Sequence, residues 1–342
     1  KTFNKSEEYY SQLLVDNKSY IALENKIIKS KCLNILNKIK SIKGLYFDTT
    51  TSRHYPYGNL ASQVIGYVDM DGNGQFGLER QFNSILDGEL GSKIYSRSAN
   101  GTLRESIKFN NNKIDNGSDL ETTIDINIQT ILLDALNQGL KKSNAKSANG
   151  VILNPFTGDI LAMASIPDFD PNKYWEYDVS NFLNKAISDA YEPGSTYKIV
   201  TMVAALELDL FTQADSFYCE NGKYQIIPTK IIHDHEPHGN LSLSEIFIYS
   251  SNIGLSKIVE KIGDHNVYNF SRKFGFGIRT GVSLPSETSG VLHDYQNWSK
   301  LSGSSVSMGQ EISINTLQLA LAYSAIANGG YLPKARLINN IT

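Results

Sequence analysis

The sequence lacks the features of several common protein classes. It has only two cysteines in 342 residues, Cys32 and Cys219, which are too few for a disulfide framework and are predicted to lie in different domains. No apolar run reaches the roughly 18 residues of a membrane span, and a first residue of Lys1 predicts that the chain begins within a longer protein. The net charge is −3 and the lysines are scattered, so no nucleic-acid partner is expected.

The length of the chain is sufficient for two domains. Apolar residues recur at helical spacing over residues 6–42, and short β-like pieces follow over residues 44–119. A helical pattern over residues 128–140 precedes a hairpin pattern at residues 150–164, and helices dominate after residue 241. We therefore predict an α+β chain. It comprises an N-terminal extended module at residues 1–146 and a domain at residues 147–342 in which an antiparallel sheet packs against helices.

Residues 191–200 (YEPGSTYKIV) place a hydroxyl and an amine three residues apart, at the start of an apolar run that continues to Leu208. A run that is apolar nearly all round predicts a buried helix. Residues three apart share a helix face, so Lys198 is predicted to point at the Ser195 hydroxyl. Serine becomes a nucleophile when a base takes its proton, and lysine is such a base only when burial and nearby cations lower its pKa. This stretch predicts a nucleophilic serine.

Both short patterns in the candidate site also occur elsewhere by chance. Residues 143–146 (SNAK) repeat the S-x-x-K pattern at the polar end of a predicted helix, where no catalysis is expected. The pattern S-x-N occurs at residues 250–252 (SSN), but also at residues 98–100 and 147–149. What distinguishes one pair is its order and context, because S-x-x-K opens an apolar helix and S-S-N follows the predicted helix at residues 243–249.

This combination resembles the penicillin-binding proteins, whose motif set includes S-x-x-K, S-x-N and a K-T-G strand. The resemblance covers nearly the whole chain and is to the class B, monofunctional branch. Residues 68–74 (VDMDGNG) and 96–101 (SRSANG) resemble the septal-division type more than the elongation type. The other segments that carry the resemblance are residues 53–62 (RHYPYGNLAS), 64–66 (VIG), 77–79 (GLE), 86–88 (LDG), 123–125 (TID), 128–129 (IQ), 157–164 (TGDILAMA), 169–172 (FDPN), 274–277 (FGFG), 280–281 (TG) and 316–318 (TLQ).

The resemblance implies a penicillin-binding/serine β-lactamase-like transpeptidase domain on an extended N-terminal pedestal. It implies a peptidoglycan D,D-transpeptidase in which Ser195 forms an acyl-enzyme and its N–H is one oxyanion donor. Lys198 would be the base for acylation, while Ser250 and Asn252 would relay the proton and hold the substrate amide. No cofactor and no metal ion is implied.

The resemblance also implies partners and a location. The expected partners are peptidoglycan stem peptides, the lipid-linked precursor, β-lactams, a membrane glycosyltransferase and other division proteins. The expected place is the bacterial cytoplasmic membrane, with the catalytic part periplasmic or extracellular and the N-terminal anchor absent from this chain.

One family motif is missing from the sequence. No K-T-G or K-S-G occurs, and residues 279–281 (RTG) are not expected to replace it. In the family that strand supplies the second oxyanion donor and binds the substrate carboxylate. We expect it beyond Thr342, so that the domain is C-terminally incomplete and nearly inert alone. Two alternatives remain open, a non-catalytic division scaffold and a β-lactam hydrolase or sensor.

Two polar stretches were weighed as metal sites. Residues 69–74 (DMDGNG) match the opening of a calcium loop, but the twelfth position is Arg80, so a glycine-rich turn is favoured. Residues 233–238 (HDHEPH) place three histidines in one proline-containing loop with no distant ligand identifiable. We interpret this stretch as an ordinary loop on the substrate side.

Overall fold

The computed structural model describes residues 5–15, 20–24, 42–46, 52–88, 95–97, 103–105 and 116–342. Residues 1–54 and residues 55–342 form two compact units. The boundary that we predicted between residues 146 and 147 stays a prediction. No helix within the described ranges is both long and apolar enough to cross a membrane.

The first unit contains helix α1 (Glu7–Leu13). The Ser6 hydroxyl accepts the Tyr9 N–H at 3.3 Å and caps this helix. The rest of the helical pattern predicted over residues 6–42 lies largely outside the described residues, as does Cys32.

The second unit mixes helices with short antiparallel strand pairs, which confirms the predicted combination of helix and sheet. Its helices within the described ranges are α2 (Ser62–Ile65), α3 (Gly77–Gln81), α4 (Asn83–Leu86), α5 (Ile126–Ser143), α6 (Lys185–Ser188), α7 (Lys198–Glu207), α8 (Leu243–Ile248), α9 (Asn252–Ile262), α10 (Asp264–Lys273), α11 (Ser302–Ser307) and α12 (Thr316–Ala327). Its strands are β1 (Tyr95–Arg97), β2 (Leu103–Glu105), β3 (Leu120–Thr122), β4 (Ala148–Leu153), β5 (Ile160–Ile166), β6 (Ser216–Tyr218), β7 (Lys223–Ile227), β8 (Lys230–His233), β9 (Asn240–Ser242) and β10 (Ile338–Ile341).

The strands pair two by two. β4 and β5 form the predicted hairpin, and its turn is closed by the Asn154 N–H, which donates to the Asp159 carbonyl at 2.9 Å. β7 and β8 form a second hairpin, while β1 pairs with β2, β3 with β10 and β6 with β9. Each pair is antiparallel.

The β4–β5 hairpin packs against helices, as the sequence predicted. Leu132 and Leu133 of α5 share one buried cluster with Ala162 and Ala164 of β5. A second cluster joins Ile160 and Met163 of β5 to residues of α6 and α12. Burial of apolar side chains on several helices therefore holds the hairpin in place.

A separate helical core positions the candidate site. The helices that contribute most of its buried residues are α7 and α9, and Ile253, Leu255 and Ile258 of α9 are almost completely buried. The apolar run that follows Lys198 packs into this core as α7. The first residues of α7 and α9 are Lys198 and Asn252, so two of the four predicted site residues begin buried helices.

Candidate active site

Ser195 lies in a short 3₁₀ turn, Gly194–Tyr197, which leads directly into α7. The sequence predicted a helix from Ser195 onward, whereas the α-helix begins at Lys198. The Ser195 side chain is exposed. Neither its hydroxyl nor its backbone N–H has a hydrogen-bond partner among the described residues. The predicted role of this N–H as an oxyanion donor remains a prediction, and the free N–H is compatible with it.

Segments much later in the chain hold this 3₁₀ turn. The Gly194 N–H donates to the Gly309 carbonyl at 3.0 Å, and Gly194 has a φ of +57°, in the left-handed region that glycine adopts readily. The hydroxyl of Tyr323 on α12 donates to the Thr196 carbonyl at 2.8 Å. These bonds fix the backbone on both sides of Ser195.

The Lys198 side chain is only 2% exposed, and its amine is surrounded by acceptors. Nζ donates to the Ser250 carbonyl at 2.6 Å, to Ser250 Oγ at 3.0 Å and to Asn252 Oδ1 at 2.7 Å. Three acceptors match the three N–H donors of a lysine ammonium. The structure therefore brings together Lys198, Ser250 and Asn252, as predicted, but no hydrogen bond joins the amine to Ser195 Oγ.

The surroundings of Lys198 change its acidity. Burial lowers the pKa of the Lys198 ammonium from its ordinary 10.5 to about 8, because the charged form is poorly solvated there. Among the described residues, no nearby cation contributes to this lowering of the pKa, contrary to the expectation. The charge that acts on Lys198 is instead the Asp234 carboxylate, which raises the pKa and so opposes burial.

Ser250 has an unusual backbone conformation directly after α8. Its φ of +56° is left-handed, which costs a non-glycine residue about 1–2 kcal/mol. Its N–H donates to Phe247, and the N–H of Ser251 donates to Ile246, so the turn is fixed to the last residues of α8. In this conformation both oxygens of Ser250 reach Lys198. The local strain thus coincides with a predicted functional residue.

A residue that the sequence analysis did not assign to the site lies behind Asn252. Asp234 Oδ1 accepts the backbone N–H groups of Asn252 and Ile253 at 2.6 and 3.0 Å, and Oδ2 accepts the Ser251 hydroxyl at 2.6 Å. The His233 carbonyl accepts the Asn252 amide at 2.9 Å. Asp234 precedes Ser251 by 17 residues, so no rule of local spacing points to it.

The other stretches considered from the sequence lie elsewhere. Thr280 and Gly281 are in a loop, where both N–H groups donate to the buried Glu287 carboxylate, so residues 279–281 form no strand. Asp69 Oδ1 accepts the N–H groups of Asp71 and Asn73 within its own turn. Across the part of the chain that the structure describes, no group of three or more His, Cys, Asp or Glu is placed to hold a metal ion.

Two family models match the chain. The model described as "Penicillin binding protein transpeptidase domain" matches residues 149–342, and the one described as "Penicillin-binding Protein dimerisation domain" matches residues 1–122. The chain belongs to the penicillin-binding protein transpeptidase family. This membership confirms the resemblance found in the sequence and the predicted type of fold, a transpeptidase domain with an N-terminal module.

Curated relatives resemble the chain over most of its length. The "Probable peptidoglycan D,D-transpeptidase PenA" of Neisseria meningitidis serogroup A is 33% identical over 296 residues, which cover 86% of this chain and 50% of that protein. The "Stage V sporulation protein D" of Bacillus subtilis is 32% identical over 310 residues, or 90% of this chain and 48% of that protein. The chain thus spans about half the length of the curated relatives it matches.

A solved structure from the same family also resembles the chain. A crystal structure of penicillin-binding protein 3 from Mycobacterium tuberculosis, complexed with ampicillin, is 32% identical. The match covers 85% of this chain and 61% of the chain in that crystal structure, with a TM-score of 0.74.

Proposed function

We propose that this chain is the catalytic part of a peptidoglycan D,D-transpeptidase that works through an acyl-enzyme on Ser195. The observation that carries the proposal is the buried Lys198 amine, which the acceptors of Ser250 and Asn252 hold one turn from an exposed serine. A pKa of about 8 leaves about a tenth of Lys198 as the free amine at pH 7. Family membership and the curated relatives named D,D-transpeptidases support the same reaction.

Acylation follows from these groups. The free amine of Lys198 takes the proton of Ser195 Oγ, and Oγ attacks the carbonyl carbon of the terminal D-Ala-D-Ala peptide bond. The Ser195 N–H donates to the developing oxyanion. The C–N bond then breaks, and the leaving D-alanine amine receives the proton through Lys198 and the Ser250 hydroxyl. Ser195 is left as an ester of the stem peptide.

The second half of the reaction reverses these roles. The amine of a neighbouring stem peptide gives a proton to Lys198 and attacks the ester, which forms the cross-link and restores the Ser195 hydroxyl. A β-lactam enters the first half only, because its opened ring stays attached to the acyl group and no product leaves the site.

The same proposal extends to setting and partners. Relatives include one named "Peptidoglycan D,D-transpeptidase FtsI homolog", from Mesostigma viride, at 30% identity over 99% of this chain, which favours a division role. The whole protein would then work at the outer face of the cytoplasmic membrane with a glycosyltransferase and other division proteins. There the stem peptides and the lipid-linked precursor are accessible.

Intact mass after incubation with benzylpenicillin tests the proposal. The proteins to compare are this chain and a version extended to the length of its relatives, each with Ser195→Ala and with Ser143→Ala as the matched control. We expect one stable penicilloyl adduct on the extended protein, which Ser195→Ala abolishes and Ser143→Ala leaves intact. An extended protein without an adduct would refute the transpeptidase and favour the non-catalytic scaffold, whereas rapid loss of the adduct would favour a hydrolase.

A further inference from the structure

The loop at residues 233–238 contains three histidines, but most of its hydrogen bonds to the candidate site are made by Asp234. The Asp234 carboxylate makes three hydrogen bonds of 2.6 to 3.0 Å, all to residues 251–253. The preceding His233 carbonyl makes a fourth bond, to the Asn252 amide. Every residue of the S-S-N stretch except Ser250 is thus bound to this loop.

These bonds add a remote cap to the ordinary cap of helix α9. The first N–H groups of a helix have no partner within it, and α9 begins at Asn252. The Ser251 hydroxyl accepts the Gly254 N–H at 2.9 Å, while Asp234 accepts the N–H groups of Asn252 and Ile253. The carboxylate also lies at the positive end of the α9 dipole, where a negative charge is stabilised. The cap therefore fixes the residue whose side chain accepts from Lys198.

We propose that Asp234 is a positioning residue for acylation, which holds Ser251 and Asn252 so that the Ser250 and Asn252 acceptors stay around the Lys198 amine. The inference rests on the proposed function, since it concerns the same site. Asp234 touches neither the substrate nor Ser195 in this mechanism. It acts through Asn252 and through its charge.

The charge of Asp234 reaches groups on both sides of the loop. On α7 it raises the pKa of Lys198 against the larger effect of burial. Beyond Ser251, burial raises the pKa of the Cys219 thiol, with a smaller rise from Asp234, while Lys257 on α9 lowers it. His233 and His235 flank Asp234 on its own loop. Among these groups, Lys198 is the one that gains and loses a proton in the proposed reaction.

Two substitutions separate the geometry from the charge. Asp234→Asn keeps an oxygen that accepts the two N–H groups of α9 and an amide that donates to Ser251, but it removes the negative charge. Asp234→Ala removes both. We expect Asp234→Asn to keep the maximal acylation rate within about threefold and to move the acidic limb of the pH profile to lower pH. Asp234→Ala should move the limb likewise and lower the maximal rate about tenfold or more.

Asp125→Ala provides the matched control. Asp125 caps α5 by accepting the Asn127 and Ile128 N–H groups at 2.8 and 3.1 Å, so its loss also removes two helix-capping bonds. Helix α5 packs against the β4–β5 hairpin, away from Lys198. A similar loss of thermal stability without a change in acylation rate or pH profile is expected. A rate that fell equally in Asp125→Ala and Asp234→Ala would reduce the role of Asp234 to stability.

The measurements are the rate of acylation by benzylpenicillin between pH 5.5 and 10 and the titration of the Lys198 amine by NMR, in the extended protein. Wild-type acylation with unchanged profiles in both Asp234 variants would overturn the inference and leave the proposed function intact. If the wild type forms no adduct, the proposed function is refuted and the inference falls with it; if the wild type is acylated, the NMR titration tests the effect of the Asp234 charge on Lys198. A Lys198 midpoint that falls in both variants supports the inference, and an unchanged midpoint overturns it.

Discussion

The chain contains the same tetrad, S-x-x-K, in two places with opposite surroundings. Residues 143–146 lie at the end of α5, where all four are exposed and the Ser143 hydroxyl donates to the Gly139 carbonyl at 2.8 Å. Residues 195–198 lie at the start of α7, where the lysine is buried and its amine is bound by three acceptors. The serine, the lysine and the spacing between them are the same in the two copies.

The difference between the copies shows what gives a lysine the properties of a base. Burial lowers the pKa of Lys198 to about 8, whereas a solvated amine keeps its proton at neutral pH. The end of a helix also matters. Ser143 lies among carbonyl groups at the negative pole of α5, while Ser195, whose N–H has no partner among the described residues, lies beside the positive pole of α7, where the proposed oxyanion would be stabilised. The surroundings, and not the spacing, therefore distinguish the copy that we propose to be catalytic.

The largest expected effect comes from exchanging the two lysines for arginine. A guanidinium stays protonated and cannot act as a base, so Lys198→Arg should lower the rate of Ser195 acylation about 10²- to 10⁴-fold. Lys146→Arg should leave the rate unchanged. Penicilloyl adduct formation over time, followed by intact mass, measures both. Acylation of Lys198→Arg at the wild-type rate would place the base elsewhere.

A second comparison concerns one glycine near each serine, Gly309 for Ser195 and Gly139 for Ser143. A Cβ at Gly309 would overlap the backbone oxygen of Gly194, and the φ of +76° there is strained for alanine. We expect Gly309→Ala to displace the 3₁₀ turn Gly194–Tyr197, which we call the nucleophile turn, and to slow acylation about 10²-fold. Gly139→Ala on α5 meets nothing within 4 Å and should raise stability by about 1 kcal/mol. Acylation kinetics and denaturant unfolding of the two variants give the answer. Equal kinetics would show that the Gly194–Gly309 contact does not position Ser195.

The pH profile sharpens the role of burial. In the proposed mechanism the free amine of Lys198 is the base, so acylation should rise about tenfold per pH unit at low pH and level off above about pH 8. Asn252→Asp would place a carboxylate where Oδ1 now accepts from Lys198 at 2.7 Å. Because an opposite charge favours the ammonium, the midpoint should rise by about one unit or more, with about tenfold slower acylation at pH 7.

Asn144→Asp provides the control within the other tetrad, since it adds the same charge beside Lys146 and should leave the profile unchanged. A midpoint for Asn252→Asp at or below that of the wild type would mean that Lys198 is not the group that controls the profile.

The smallest expected effect tests the packing of α7. Thr201 is buried, and its hydroxyl has no hydrogen-bond partner within the described residues. Valine has nearly the same shape without the polar group, so Thr201→Val should raise the free energy of unfolding by about 1 kcal/mol. Thr130 on α5 is exposed and donates to the Ile126 carbonyl, and Thr130→Val should be close to neutral. A destabilised Thr201→Val, measured in denaturant, would reveal a partner for the Thr201 hydroxyl.

Much of the fold could be predicted from local patterns. The β4–β5 hairpin, α8 and α12 follow from turn residues, capping residues and apolar runs within short windows. The Lys198, Ser250 and Asn252 constellation followed from two motifs and their order. The resemblance to a family supplied the roles that spacing alone does not give.

The remaining parts of the site depend on distant contacts. The remote cap joins Asp234 to Ser251, 17 residues later in the sequence. The left-handed backbone at Ser250 is a conformation in which glycine is more usual than serine. The effect of Asp234 on Lys198 also acts between two segments that are distant in sequence. No periodicity or cap rule encodes such contacts, because they arise only once helices α7, α8 and α9 are packed together.

The bonds that support the nucleophile turn also set an order of events during synthesis. The Tyr323 hydroxyl meets Thr196 across 127 positions of sequence, so this support is absent while those residues are still being translated. At ribosomal speed that interval is roughly 6 to 25 s. Ser195 and Lys198 therefore leave the ribosome long before Tyr323 can support the turn, and the geometry of the proposed nucleophile is complete only after α12 has been made.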